Sequence, residues 1–528
     1  MPLRASRSLV SRLLLGNASP ISPFFLCALC VSVFFLFACA RHQKFDPSSL
    51  TFVIESNPTN LDPRFATDSQ SQRIDGLLFS SLVARDDRMN LHGDLAESWN
   101  TPDPLTYIFH LRNNVRFHDG RPLTSADVKA TFDFMLDPAN RSPKRGAFQN
   151  VAKIEAPDPA TVVFHLKEPY ASFLWDLSRP AVGIVPQNAG PDFSLHPIGS
   201  GPFVFVSQAQ DDQVIVRRNP DYFLGAPDIA TVRFRVVPDA VVRALELRKG
   251  SADLEMSSLP ADMIPTLIRQ PDLMLTERRG TNFAYLGINF EDAILAHREV
   301  RQALAFATDR ESLIRYLLHG EARVASGILP PNHWAYEPNV AQYPYDPARA
   351  EKLLDAAGFP RQSSGMRFHL TLKTTTQEEA RLVGAALQEE WRKVGIDLEL
   401  RPLELATLLS DSVRGNFQLT FLRWVGANDD PAAFELFFSS KRFPPDGANR
   451  GHYRNPLVDA LTDQIRVEMD HEKRKELCSE VQKILAEDLP YIPLWFTDVV
   501  SVHRRELGDL QLSPVGDYDF LAALKPHP

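Results

Sequence analysis

The run Trp424-Val425-Gly426-Ala427-Asn428-Asp429-Asp430-Pro431 has the residue types for recognition rather than for bond-making. It sets a large aromatic face beside an amide, two carboxylates and turn backbone, the groups that stack on a solute and fix its polar ends. An aromatic at a strand's end followed by polar turn residues suits a cleft, which makes Trp424, Val425, Gly426, Asn428 and Asp429 candidate solute contacts, with Trp424 also readable as a core aromatic and Asp429 equally as a turn or helix-cap residue. Arg423, one residue earlier, either clamps a carboxylate or pairs with Asp430, and the pair is the favoured reading. Catalysis finds no such constellation. The 14 histidines are scattered, with no H-E-x-x-H and no metal-spaced pair, and there is no G-x-S-x-G. His118-Asp119-Gly120 reads as a turn rather than as a base with its orienting acid. The expectation is a binding protein, not an enzyme, with no cofactor and no metal.

The elements that must hold this run follow from periodicity. Phe417 to Phe421 reads as a strand ending at the candidate site, and Phe434, Leu436 and Phe437 begin a helical pattern beyond it. Upstream, Asp346-Pro347 opens a helix with a cap residue and a proline in the first turn, and Ala356-Ala357-Gly358 closes it. Arg381 to Val394 predicts a helix stopped by Gly395, and Ile396, Leu398 and Leu400 alternate with polar residues as a half-buried strand. Arg466 to Ala486 predicts one last long helix. Strand, helix, strand in this order favours an α/β lobe.

In the first third, Tyr107 to Leu111 and Val115 to Phe117 alternate around Asn113-Asn114, which predicts a β-hairpin across that turn. Thr124 then precedes a helical pattern with Asp127 at capping-box spacing. Pro197 to Phe203, P-I-G-S-G-P-F, is glycine-rich but lacks the lysine and the spacing of phosphate-binding loops, and is better suited to letting the chain re-enter a sheet.

These segments carry a resemblance. L-A-E-S-W from Leu95, Y-x-F-x-L-R from Tyr107, V-x-F-H-D-G from Val115 and P-L-T-x-x-D-V from Pro122 resemble the signature of family 5 extracellular solute-binding proteins, the peptide- and nickel-binding subunits of ABC importers. Further matches are the turn at Pro197, Asn219 to Tyr222, the stretch Ala244 to Leu254, Tyr285 to Asn289, Val300 to Leu304, and Asp309-Arg310 with Gly320, so the likeness spans Thr51 to about Leu512. It implies a large two-lobed α/β periplasmic-binding-protein fold of type II, with a hinge and a solute cleft between the lobes. In that layout 51–81, 197–288 and 490–528 form the first-lobe core, 82–196 an extra subdomain of that lobe, and 289–489 the second lobe, with the crossover near Asn289. It also places Asn60, in the loop N-P-T-N-L-D-P, and Trp495, on the last strand, towards the cleft. In peptide-binding members the run from Trp424 resembles W-x-A-D-Y-x-x-P, whose aspartate pairs with a peptide's α-amino group. Here that aspartate aligns with Ala427. An unreplaced ammonium partner costs about 2–5 kcal/mol, so either Asp429 takes over or the solute has no such amine.

The N-terminus sets the compartment. Arg4, Arg7 and Arg12 precede an apolar run from Phe24 to Ala38, the pattern of an export signal over 1–38. Leu36-Phe37-Ala38-Cys39 resembles the bacterial lipobox, in which Cys39 is acylated and followed here by a tether over 39–50; an uncleaved anchor is the alternative. Both readings put the rest of the chain outside the cytoplasmic membrane. Cys27 and Cys30 fall inside the signal, which leaves Cys478 alone without an intramolecular disulfide partner and better suited to packing than to attack. With 25 glycines and 41 prolines in 528 residues the chain is well short of low complexity, and a net charge of -9 gives no reason to expect nucleic acid.

The sequence thus predicts a lipid-anchored, monomeric solute-binding protein that delivers its ligand to ABC permease subunits. Peptide is the first expectation for the solute, ahead of nickel chelates, opines and sugars. A receptor or chaperone-like module without a transporter, and an envelope hydrolase, are the alternatives.

Overall fold

Two long strands, Leu273–Ile288 and Tyr491–Arg504, run antiparallel through the middle of the molecule and belong to both of its halves. The computed structural model describes residues 45–86, 90–179, 182–426, 430–445 and 447–526. The expected export segment, Cys39, Asn428 and Asp429 lie outside these.

The two strands nucleate an eleven-stranded sheet. On one flank Tyr491–Arg504 pairs with Leu254–Met256, and beyond that lie Ser49–Ile54, Thr231–Val236, Gln213–Arg218 and Phe203–Ala209. Ser49–Ile54 pairs in parallel on both edges and buries Leu50, Phe52, Val53 and Ile54, as a strand covered on both faces must. It begins two residues inside the expected tether. On the other flank the second half of Leu273–Ile288 pairs with Leu419–Trp424, followed by the parallel strands Phe368–Thr375 and Ile396–Leu403. The halves meet where the ladder is irregular. Arg278 pairs with Val499, and regular pairing resumes at Asn282 with Thr497. Between them Gly280 passes so close to its neighbour that a Cβ would lie 2.2 Å from the Thr497 carbonyl oxygen, and its N–H donates to Asp498 Oδ1 at 3.2 Å. The strands change partners here, earlier than the crossover expected near Asn289. Asn289 instead finishes the strand by donating to the carbonyls of Phe417 and Gly415 at 2.8 and 3.1 Å.

The inserted segment builds its own four-stranded antiparallel sheet, in the order Ala96–Asp103, Thr106–Leu111, Thr161–Leu166, Val151–Asp158, covered by the helix Ser125–Leu136. The hairpin therefore turns at Pro104-Leu105, not at Asn113-Asn114 as the alternation predicts. Both edges of Thr106–Leu111 are occupied, so Val115 and Phe117 have no strand to pair with. They still bury their side chains, from a loop that folds back on itself through an Arg116–Pro122 bridge. The capping box forms, with Asp127 Oδ2 accepting the Thr124 N–H at 3.0 Å.

His118 gives the polar signature a structural reason. Its backbone N–H donates to the Gly199 carbonyl at 2.8 Å, Nδ1 accepts the Gly199 N–H at 3.2 Å, and Nε2 lies 3.1 Å from the Gly201 carbonyl oxygen. The Pro197–Phe203 turn is thus stitched to the signature loop on one side. On its other side it is pressed against the end of the helix Ser69–Leu78, where a Cβ on Gly199 would sit 1.8 Å from the Leu78 oxygen.

In the second lobe Asp346 caps Pro347–Ala356 through the Arg349 N–H at 2.9 Å, and Gly358 and Gly395 close their helices at φ of +85°. The expected single helix from Arg466 to Ala486 is two, Pro456–Val467 and His471–Asp488. Asp470 breaks the run by capping the second, accepting the Lys473 N–H at 3.0 Å.

Candidate functional site

A cavity of about 1140 Å³ opens between the inserted subdomain and the second lobe. One wall is residues 143–154 of the insert with Lys167, Glu168, Tyr170, Ser172, Asp176 and Arg179; the other is Asp430, the start of helix Ala432–Phe438, Arg442 and Arg466. The volume suits a solute larger than a single amino acid. Its position follows from the sheet, because Leu419–Trp424 ends at the second-lobe wall and delivers the chain to Asp430.

The walls touch at one edge. Arg474 donates to both carboxyl oxygens of Asp430, at 3.0 and 2.9 Å, and to Ser172 Oγ at 2.8 Å, while Ser172 Oγ donates to Asp430. Beside this cluster the Ala171 N–H donates to the Arg466 carbonyl at 2.9 Å, and Arg466 pairs with Glu168. Ser172, Ala171 and Glu168 belong to the insert, and Asp430, Arg466 and Arg474 to the second lobe. Burial alone would raise the Asp430 carboxyl, but the Arg474 charge and its hydrogen bonds with Arg474 and Ser172 bring it below the usual range. It is a buried anion in the closed contact. Deeper in the insert wall, burial wins at Asp176, which is raised despite Arg179 and a hydrogen bond from the Tyr170 hydroxyl at 2.8 Å.

Trp424 stands at the end of its strand on a stack of rings. It lies 4.2 Å from Phe437 at 25° between planes and 6.0 Å from Tyr285 at 9°, with the Arg450 guanidinium 4.8 Å over its face. Tyr285 stacks in turn on Tyr491 at 4.1 Å. The indole is half-buried, Val425 is exposed, and Gly426 takes φ +60° with open space around its Cα. Among the described residues lining the cavity, neither Trp424 nor Asn60 appears. Asn60 uses Oδ1 to accept the Asp62 N–H at 2.9 Å, a local turn contact.

Two expected contacts are corrected. Arg423 does not pair with Asp430; it points to the opposite face of its strand and pairs with Glu379 at the head of helix Glu378–Lys393, because neighbours in a strand alternate faces and Asp430 is taken by Arg474. Trp495 is fully buried in the second-lobe core, facing Ala284 and near Phe421 at 6.2 Å, and offers a solute no surface.

Sequence reading did not single out Ser172, Lys144, Arg466 or Arg474. For Arg474 a signal existed. It shares the buried stripe of its helix with Cys478, Val481 and Leu485, and a cation on an apolar stripe needs a buried partner. Cys478 packs there, and burial pushes its thiol up to about 12, away from nucleophile chemistry. Among the described residues no group of three or more His, Cys, Asp or Glu side chains could hold a metal ion, and no helix is long and apolar enough to cross a membrane.

Comparison with known proteins places this geometry. The family model described as bacterial extracellular solute-binding proteins, family 5 middle, matches residues 90–444. Di/tripeptide-binding protein 1 of Pseudomonas aeruginosa is 30% identical over 504 residues, covering 89% of this chain and 93% of that protein. The glutathione-binding protein GsiB of Escherichia coli O1:K1 is 29% identical over 508 residues, covering 94% and 97%. The crystal structure of the ABC transporter substrate-binding protein CtaP from Listeria monocytogenes superposes with a TM-score of 0.83 at 25% identity, covering 92% of this chain and all of that one.

Proposed function

This chain belongs to the family 5 extracellular solute-binding proteins of bacterial ABC importers, and we propose that it captures a short peptide between its lobes and presents the closed complex to a permease. It is a binding protein on the periplasmic or extracellular side, not an enzyme. The observation that carries the peptide reading is the cavity of about 1140 Å³ walled by both lobes, beside a closed contact through Ser172, Asp430 and Arg474. A solute drives such closure only by binding the closed state more tightly, with about 5.5 kcal/mol needed to turn 1:99 into 99:1. Relatives named for di- and tripeptides and for glutathione support a ligand of two to three residues.

Thermal denaturation with mixed di- to pentapeptides tests the reading. A true ligand at 100 times its Kd adds about 2.7 kcal/mol, and a peptide mixture that leaves the melting point unmoved while another solute class raises it would sink it. Trp424 lies outside the lining of that cavity, and the proposal that it touches the solute is supported by the resemblance of the run from Trp424 to Pro431; the same titration tests it. Trp424→Ala should lose at least about tenfold more affinity, worth 1.4 kcal/mol, than Trp391→Ala, whose ring is wholly inside the core and donates Nε1 to Thr308 at 3.1 Å. Equal losses would make Trp424 a packing residue.

We further propose that Cys39 is acylated and tethers a single copy of the chain to the membrane, a reading supported by the Leu36 to Cys39 sequence. Cys39→Ser should move the protein from the membrane fraction to the soluble one. Retention in the membrane fraction would favour an uncleaved anchor.

A further inference from the structure

We infer that the solute carries a carboxylate or an equivalent anionic group, and that Lys144 receives it. This rests on the solute-binding reading above and adds to it the charge of the solute.

The observation is an imbalance of partners around the cavity. Among the described residues lining it, every carboxylate already has a cation: Asp133 has Lys129, Glu168 has Arg466, Asp176 has Arg179, Asp430 has Arg474 and Glu435 has Arg442. Three lining cations, Lys144, Arg145 and Lys167, have no carboxylate of a described residue within ion-pair distance. Arg145 and Lys167 are exposed and spend a donor each on backbone, Nε to the Leu136 carbonyl at 3.1 Å and Nζ to the Gln149 carbonyl at 2.5 Å. Lys144 is the least exposed of the three, and its ammonium has no acceptor among the described residues; its only bond as donor is from the backbone N–H to Ser142 Oγ at 3.2 Å.

A half-buried ammonium without a partner is an unfavourable arrangement that an incoming anion relieves. The nearest counter-charge does not cancel it. Asp75, on the helix Ser69–Leu78, is fully buried with both carboxyl oxygens accepting no hydrogen bond, and burial raises that carboxyl well above its ordinary value. Burial also pulls the Lys144 ammonium down to about 8, while Asp75 pulls it up and Arg179 pulls it down. At neutral pH the lysine is still charged, poorly solvated and open to the cavity. Gln72, one turn before Asp75, lines the same wall. The rim cations Arg145 and Lys167 extend the positive strip along the insert, so a second acidic group on the solute finds company there. A neutral or cationic solute finds no free carboxylate in return.

The test uses the full chain and a panel sorted by charge: tripeptides with free C-termini, the same peptides as C-terminal amides, glutathione and its diester, and citrate as a non-peptide anion. Binding is followed by calorimetry for the wild type, Lys144→Gln and Lys144→Arg, with urea midpoints to confirm folding. The expected result is that free acids bind at least tenfold more tightly than amides or esters. Lys144→Gln should erase that difference, and Lys144→Arg should keep most of it. If citrate binds and peptides do not, and Lys144→Gln abolishes the binding, the peptide reading falls and this inference stands. If amides bind as well as acids, if Lys144→Gln weakens both equally, or if the panel contains no acidic binder, the inference is overturned.

Discussion

Arg474→Met lowers the free energy of unfolding by about 3–5 kcal/mol, the cost of leaving a buried ion without its partner. The side chains of Arg474 and Asp430 are 6% and 7% exposed, so water cannot replace the lost contact. Four donor contacts disappear together: two to Asp430, one to Ser172 Oγ and one from Nε to the Ile465 carbonyl at 3.1 Å. The Asp430 carboxylate, held below the usual range by that guanidinium, then faces burial with Ser172 and the Ala432 N–H as its remaining donors. Its answer is to take up a proton. A depressed carboxyl stabilises above the ordinary Asp range, with a contribution lost as pH falls through the folded value; in the variant that dependence weakens or reverses. Urea denaturation of the two proteins at pH 7 reads the loss directly, and a difference below 1 kcal/mol would mean that the pair is hydrated. Ser172 provides the second readout. It belongs to the opposite wall, so Ser172→Ala leaves the ion pair in place and removes only a wall-to-wall link. It should cost about 1–3 kcal/mol of stability, since both its hydrogen bonds are to charged groups, and shift small-angle scattering towards the open form at subsaturating ligand. The two variants separate the ion pair's role in holding the second lobe from the hydroxyl's role in closing the cavity.

The contrast between these partners and those that the sequence suggests shows where local reading ends. Periodicity and caps are local, and they were legible: Asp346, Thr124 with Asp127, and the glycines at 358 and 395 all stand at the helix ends where their chemistry puts them. Partner choice is not local. Arg423 and Asp430 lie close in sequence and have opposite charges, yet each pairs with a residue forty-four positions away, Glu379 and Arg474, because strand alternation turns one outward and burial claims the other. Val115 to Phe117 alternates as well as any strand, but Thr161–Leu166 had already taken the edge it would need. The resemblance supplied the two-lobed fold as a whole, which no single segment could. It pointed to the chain around Trp424, and the second-lobe wall of the cavity does begin a few residues later, at Asp430. The opposite wall was silent in the sequence. Lys144 and Ser172 lie in stretches with no periodicity and no motif, and only the approach of the insert to the second lobe gives them a role.

The same lesson applies to His118, whose neighbours in space come from a turn eighty residues later, and it yields a pH dependence with a definite sign. With Nδ1 accepting the Gly199 N–H, the ring proton sits on Nε2 and is donated to the Gly201 carbonyl. Protonation would turn Nδ1 into a second donor aimed at an N–H. Burial lowers this imidazole to about 4, with the Gly201 hydrogen bond and the Asp119 charge opposing. The unfolded chain keeps a value near 6.5, so between pH 6.5 and 4 it binds more protons than the folded protein. The stabilisation by His118 is therefore complete above pH 6.5 and is lost as pH falls towards 4, by about 3 kcal/mol over the window. The whole-protein curve will not show this alone. Burial raises Glu255, Glu321 and Glu390 to about 7, and a raised carboxyl stabilises in the opposite direction as pH falls. The measurement is thus a difference: unfolding free energies of the wild type and His118→Gln at pH 7.5, 6, 5 and 4. Glutamine can accept from Gly199 and donate towards Gly201 but has no proton to gain. The variant should be less stable by about 1–2 kcal/mol at pH 7.5, and the gap should close and then reverse by pH 4. A gap that stays constant across the series would mean that the imidazole is not holding the glycine turn through a neutral ring. Gly199→Ala, which drives a methyl group into the Leu78 carbonyl, would then be the remaining way to ask whether the turn matters to the fold.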